Sequence, residues 1–448
     1  MVHRDDSRVT VVGGGLAGTE AAWQLATRGI AVDLYEMRPV VASPAHATDY
    51  LGELVCSNSL KSTDADTAAG CLKHELRTLG SLVLQTAERH RVAAGGALAV
   101  DRIAMARDLT ETVSAHPLVR VIREEVDSVP RGRVVIASGP LSSPALEESL
   151  TGLVGESRLS FFDAAAPIID AASLDHSSLF AASRYSKGEG ADYLNAPMNR
   201  EEYSRFLDAL VSAERIITKD FERRELFAAC QPVEEVARSG PDALRYGALK
   251  PVGLTDPRNG ERPWAVVQLR AENGHHTAYN LVGFQTNLTW PEQQRVFSLI
   301  PGLEHADFLR YGVMHRNTFV DAPRVLDPTL AVRARPEVRL AGQITGTEGY
   351  LEAAASGLMA GVNTWADLAG SDPVVLPQTT ALGALLAYAT DPQTSSYQPM
   401  HVNFGLVPPL DPPVRGKRSR YAAYAERARN DLAEWIGSCP AFADRNLR

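Results

Sequence analysis

Cysteine is scarce in this chain of 448 residues: there are four, Cys56, Cys71, Cys230 and Cys439, and they form neither a CxxC pair nor a zinc-binding pattern. That spacing excludes a CxxC dithiol oxidoreductase and a disulfide-stapled scaffold, and it suits a reducing cytosol. No uninterrupted apolar run approaches the length of a membrane span. Polar residues from His3 to Arg8 lead directly into the first apolar stretch, in place of an export signal, so a cytoplasmic location is expected. Positive charge is also lacking, since the net charge of -9 excludes a globally basic nucleic-acid binder. Phosphate contacts depend on local charge, however, and stay open. Internal repeats and low-complexity tracts are absent, apart from short Pro-rich connectors at 371–378 and 407–413. With 45% hydrophobic and 22% charged residues the composition is that of an ordinary folded protein, long enough for two or three domains.

What is present begins at residues 9–36, VTVVGGGLAGTEAAWQLATRGIAVDLYE. An apolar strand, a glycine turn, an amphipathic helix and a second strand ending on Glu36 form one continuous unit, which is the fingerprint of a dinucleotide site. Gly13 lets the chain turn out of the strand, Gly15 lets backbone approach a pyrophosphate, and Gly18 lets the helix pack on the sheet, with Gly14, Leu16 and Ala17 completing the turn. Glu36 stands where a carboxylate accepts from ribose hydroxyls. Two further segments favour FAD over NAD as the resident dinucleotide. Residues 134–140 read as a strand running into Gly139, and 338–342 as a strand ending on Gly342. After the latter, Gly346, Thr347 and Gly349 lead into a small-residue helix over 351–361, whose N-terminal dipole would face a flavin.

These flavin segments lie at opposite ends of the chain, so the intervening sequence must leave and rejoin one sheet. The expected class is α/β: a Rossmann-like FAD-binding domain over 1–169 and 313–448, with an inserted α+β substrate domain over 170–312. Residues 69–90 read as one helix on Leu72, Leu76, Leu79 and Val83, and 118–121 and 134–137 as strands. Asn199 and Glu202 open a helix that runs to Ser212. The runs 264–269 and 277–282 flank Asn273-Gly274 as a hairpin.

Two cysteines stand at chemical boundaries. Cys56 lies where the apolar ELV turns into the small polar SNS, a rim position, and Cys230 precedes a break at Pro232. Cys71 falls within a helical apolar pattern and Cys439 just before a proline, both reading as small buried hydrophobes. No metal-binding set is expected. Near the C-terminus, Arg415, Lys417, Arg418, Arg420, Arg427 and Arg429 face one acid, Glu426, with Tyr421 and Tyr424 among them as rings that pack or stack. Such a run reads as a solvated helix face or as a phosphate-binding patch.

Taken together, GGGLAGTEAAWQLATRGI, LYEMRP, ELVCSNSL, LKPVGL, VGFQTNL, MHRNT and LAGQITGTEGYLEAAASGL closely resemble the folate- and FAD-dependent tRNA (uracil-5-)-methyltransferases, over nearly the whole chain. ELVCSNS together with GQITGTEGY is far more specific than the dinucleotide motif. The glucose-inhibited division protein A type of tRNA-modifying flavoprotein shares the flavin segments but is considerably longer. The resemblance implies methylation of C5 of uridine 54 in the tRNA T-loop, with 5,10-methylenetetrahydrofolate as carbon donor, reduced FAD as reductant and NAD(P)H as external electron source. It also implies a thiolate that adds to uracil C6 and a base that removes the C5 proton. Cys230 is assigned the addition and Cys56 the assisting role, with exchange of the two left open. Lys250, His315 and Arg316 are candidates to lower a thiol pKa or hold folate carboxylates, and Arg418 and Arg420 to hold tRNA phosphates. Two alternatives stand beside this reading: a different flavin-dependent modification at the wobble uridine, and a flavin oxidoreductase without an RNA substrate.

Overall fold

Five parallel strands and one antiparallel edge strand form the central sheet of the computed structural model, in the order Ala331–Val332, Arg335–Leu340, Val134–Ile136, Arg8–Val12, Ala31–Tyr35 and Val119–Ile122. The structure describes residues 8–42, 45–154, 158–164, 166–186, 191–216, 231–271, 276–312, 314–394, 397 and 399–443. Val9, Val11, Leu34, Val135 and Leu340 are fully buried, as a parallel sheet covered on both faces requires. The register aligns Val12 with Tyr35 and Ile136, and Ile136 with Leu340, so four strands end in one row. The chain leaves the Arg8–Val12 strand where the strand order reverses, the place at which open α/β sheets bind their ligands. This is the expected α/β class.

Helix Leu16–Ala26 packs along helix Tyr350–Ala369 at very short range. A Cβ added at Gly357 would fall 2.1 Å from the Ala17 carbonyl oxygen, and one at Gly361 would fall 2.8 Å from that of Ala21. Of the small residues of 351–361, Gly357 and Gly361 serve this helix contact.

A second, antiparallel sheet has the order Phe180–Ala181, Tyr193–Met198, Ala265–Ala271, Ala278–Leu281, Ile168–Asp170 and Phe308–Arg310. It has its own core, including Phe206, Leu269, Phe284 and Phe297. Strands Arg158–Ala164 and Met314–Val320 pair antiparallel where the chain passes between the two sheets. Helix Arg200–Ser212 carries the expected capping box: Asn199 accepts from the Glu202 N–H and Glu202 accepts from that of Asn199. The hairpin strands pair as Leu269 with Leu281, while the expected Asn273-Gly274 turn lies outside the described residues.

The single helix expected over 69–90 is two, Ala68–Thr78 and Leu82–Arg89. Gly80 adopts φ 75 between them, and Ser81 caps the second by accepting from the Leu84 N–H. The buried Glu20 carboxylate adds bonds from the Leu82 and Val83 N–H groups. Apolar spacing alone continues through that break, because both helices bury their leucines in the same core. No helix among the described residues is long and apolar enough to cross a membrane.

Candidate active site

The row of strand ends opens into a cleft. Gly13, Gly14, Gly15, Leu16 and Ala17 form one wall, Ser138 and Gly139 another, and Gly342 and Gln343 a third. Steric demands separate the glycines. A Cβ on Gly13 would sit 2.4 Å from the Ala137 carbonyl oxygen, and one on Gly18 would sit 1.8 Å from that of Gly13, so both are needed for backbone packing. Gly15 is different, because a Cβ there would meet nothing within 4 Å. It is the N-cap of helix Leu16–Ala26 and supplies no side-chain cap, so first-turn N–H donors remain available toward open space. That is a cradle for an anionic pyrophosphate, and the residues fit a bound dinucleotide.

Glu36 lies in the cleft wall as expected. Its Oε2 accepts from the Gly14 N–H at 3.0 Å, and its Oε1 accepts from Arg38 N and Nε at 3.0 and 2.8 Å. Burial works to raise this carboxyl, but the hydrogen bonds and charge of Arg38, with the Gly14 N–H, hold it below the ordinary value. Oε2 keeps acceptor capacity for a ribose hydroxyl. Arg38 also reaches Glu53 Oε2 at 3.2 Å, and Glu53 accepts from the Ala47 N–H and from Thr48. His46, also in the wall, is pushed down to about 4, first by burial and then by the Arg38 charge, and is neutral at pH 7. Sequence reasoning missed Arg38, Glu53 and His46. Arg38 and Glu53 were visible in LYEMRP and ELVCSNSL, where a cation two residues beyond the ribose acid signals a partner for it.

The third flavin segment divides. Gly342 lines the cleft and approaches Ala17 so closely that a Cβ would fall 2.9 Å from the Ala17 Cβ. Gly346, Thr347 and Gly349 stand outside the cleft wall and shape the turn behind it. Gly346 adopts φ 77 against the Tyr397 ring, Thr347 Oγ1 donates to the Gly342 carbonyl at 3.0 Å, and Gly349 adopts φ 119 beside Glu352 and Lys61. Tyr350 and Ala353, in the first turn of the following helix, return to the cleft.

Cys56 is half-buried and tied to this wall. The Tyr350 hydroxyl accepts from the Cys56 N–H at 2.7 Å and from the Ser57 N–H at 3.1 Å, and Val55 lines the cleft. From the second sheet, buried Arg270 donates to Ser57 Oγ at 2.7 Å and to Asn58 Oδ1 at 2.8 Å. The segment is thus clamped between helix Tyr350–Ala369 and the second sheet. Arg310 interacts electrostatically with Cys56, and burial together with the Arg102 charge holds that guanidinium below its ordinary value. Cys71, by contrast, is pushed up to about 12 by burial and the Glu75 charge, and burial also raises Cys439.

Cys230 lies outside the described residues. His315 and Arg316 fall on strand Met314–Val320, opposite Asp163 and Phe162, with their side chains outside the description. Lys250 is exposed, apart from the cleft wall, and its carbonyl accepts from Arg184. Arg418 and Arg420 are exposed at the start of helix Lys417–Ser438. Of the rings among them, Tyr424 stacks on Phe404 at 5.3 Å and Tyr421 meets it edge-on at 4.9 Å. Arg427 donates to the Pro408 and Pro409 carbonyls. The two rings pack, and this part of the basic run is structural.

The family model for glucose inhibited division protein A matches residues 8–372. Among solved structures, GidA from Aquifex aeolicus superposes with a TM-score of 0.69 at 16% identity, over 97% of this chain and 74% of that one, which shows a shared fold. Curated relatives are much nearer in sequence. The methylenetetrahydrofolate--tRNA-(uracil-5-)-methyltransferase TrmFO of Thermosynechococcus vestitus is 58% identical over 95% of this chain and 94% of its own length. The protein of the same name from Desulforamulus reducens is 56% identical over 96% of this chain and 98% of its own. With such identity over nearly the full length of both partners, and with the glycine cleft, Glu36 and the clamped Cys56 in place, the chain belongs to the TrmFO family of methylenetetrahydrofolate--tRNA-(uracil-5-)-methyltransferases.

Proposed function

We propose that this protein methylates C5 of uridine 54 in the T-loop of tRNA, taking the carbon from 5,10-methylenetetrahydrofolate and forming 5-methyluridine. The observation that carries this reading is the double engagement of Tyr350, which lines the dinucleotide cleft and holds the backbone N–H groups of Cys56 and Ser57. One cleft side chain thereby fixes the backbone that carries Cys56. Gly13, Gly14, Gly15, Leu16, Ala17, Gly18, Glu36, Gly139 and Gly342 would hold FAD, with Gly346, Thr347 and Gly349 shaping the turn beside it. When bound, FAD supplies the reducing equivalents that take a methylene to a methyl. NAD(P)H is the proposed external reductant and the cytoplasm the proposed location, in keeping with the free thiols of the described cysteines.

The chain's own residues then have three tasks. One thiolate adds to uracil C6 so that C5 becomes nucleophilic; a base takes the C5 proton; and elimination returns the sulfur. Cys230 is assigned the addition and Cys56 the assisting role near the cofactor. Arg310 interacts electrostatically with Cys56. Lys250, His315 and Arg316 are proposed for folate carboxylates, and Arg418 and Arg420 for tRNA phosphates.

The test supplies unmodified tRNA transcript, methylenetetrahydrofolate labelled in its methylene carbon and NAD(P)H. Labelled 5-methyluridine in the T-loop is expected. Label at the wobble position, or cofactor reduction with no label in RNA, overturns the reading.

A further inference from the structure

Helix Ala68–Thr78 crosses helix Lys417–Ser438 away from the cleft, and with the short strand Arg91–Val92 they enclose a second cavity. Its wall brings together Lys73, His74, Arg77, Arg91 and Arg429 against a single carboxylate, Glu88. Lys73, His74 and Arg77 share one helix, Arg91 lies on a separate strand, and Arg429 closes the basic run that begins at Arg415, so only the fold brings the three groups to one wall.

Their hydrogen bonds divide them. Glu88 is already paired with Arg77. Lys73 Nζ donates to the Leu60 carbonyl at 2.6 Å and the Ser62 carbonyl at 2.9 Å, so it contributes charge rather than a vacant donor. Arg91 and Arg429 make no side-chain hydrogen bond or ion pair with any described residue. Two unpartnered guanidinium forks over a wall of excess positive charge are matched to a phosphate oxygen cluster. Burial, and after it the Arg429 and Arg77 charges, keeps the His74 imidazole below its ordinary value.

We infer that this cavity receives a backbone phosphate of the tRNA, at a distance from the reacting uridine. The inference rests on the RNA substrate proposed above. Reach supports it: Thr63 lines the cavity, and the stretch from Cys56 to Thr63 extends no further than ~25 Å, so one RNA spans both places. Continuity favours a polyanion over a small phosphate. Arg418 and Arg420 are exposed on the helix that carries Arg429, about 14 Å toward its start, so phosphates in succession find cations in succession.

Arg91→Glu and Arg429→Glu, made singly, test this by the affinity of an unmodified tRNA transcript across a potassium chloride series. Each is expected to weaken binding about tenfold and to lower the slope of log K against log salt by about 1, and the corresponding Lys variants are expected to keep most of the affinity. FAD binding is expected to be unchanged in all four variants, which separates loss of a contact from loss of the fold. If both Glu variants bind as the wild type does at every salt concentration, the cavity is not a phosphate site, while the methyltransferase reading stands on its own label assay. If the wild type binds no tRNA, both fall.

Discussion

The two glycine-bearing segments look alike in sequence, yet the structure uses them differently. In residues 13–18 one glycine faces emptiness: Gly15 has nothing within 4 Å of where its Cβ would stand, while Gly13 and Gly18 are pressed against backbone. In residues 342–349 the glycines have positive φ and sit against Ala17, Tyr397 and Glu352. The first segment makes room for a ligand, and the second makes a turn that aims Tyr350 at both the cleft and Cys56. Glycine content alone therefore does not mark a binding loop. At Gly15 the missing Cβ leaves open space in a cleft wall, and at Gly342, Gly346 and Gly349 it relieves a contact.

Substitutions that fill the tight positions should break this comparison most severely. Gly18→Ala and Gly357→Val push a Cβ against a backbone oxygen at 1.8 and 2.1 Å, in rigid surroundings. Each is expected to cost about 3 kcal/mol or more in urea unfolding, and a loss under 1 kcal/mol would mean the helices do not pack as described.

Arg38→Ala comes next, because it leaves the Glu36 and Glu53 carboxylates buried without their cation. A loss of about 3 kcal/mol at pH 7 is expected. The sign with pH follows from the direction of the Glu36 shift. Its folded value is depressed, so the stabilisation is present above the ordinary carboxylate value and is lost as pH falls through the folded value. The gap between wild type and variant should thus narrow in acid, as read by urea midpoints from pH 7 down to about 3; a constant gap would mean Arg38 acts by packing alone.

A smaller effect is expected at the second segment. Gly346→Ala meets a left-handed backbone and the Tyr397 ring, whose hydroxyl is held by the Thr345 carbonyl at 2.6 Å. About 2 kcal/mol of stability should go, with the affinity of the remaining folded protein for FAD within a few-fold of wild type. A selective loss of FAD affinity at unchanged stability would make this loop a direct ligand contact after all. Smallest in stability are Arg418→Glu and Arg420→Glu, which touch no core residue. They should stay within about 0.5 kcal/mol of wild type while weakening tRNA binding and flattening its salt dependence; unchanged affinity at low and high salt would remove that patch from the RNA surface.

Local chemistry is what the sequence made legible. The strand-turn-helix unit at 9–36 and the capping box at Asn199 and Glu202 are each encoded within a few residues and stand as expected, while the late strand, expected to end on Gly342, ends at Leu340. The break at Gly80 escaped because both helices turn leucines toward the same core, so the apolar rhythm never falters. Long-range partnerships escaped as well. Nothing near Cys56 announces that Tyr350, Arg270 and Arg310 converge on its segment, or that Tyr421 and Tyr424 are occupied by Phe404. The small residues of 351–361 were legible as a close approach, and for Gly357 and Gly361 the neighbour is the backbone of helix Leu16–Ala26.

The most direct test of the central claim is FAD binding by the purified protein, wild type against Gly15→Val, followed by flavin absorbance and fluorescence quenching. Gly15 has an extended conformation open to any residue, φ -72 and ψ -172, so the variant should keep its urea midpoint and lose at least tenfold in FAD affinity, while the wild type binds about one flavin per chain. A wild-type protein that takes up no flavin, or a Gly15→Val protein that binds it equally well, would contradict the account.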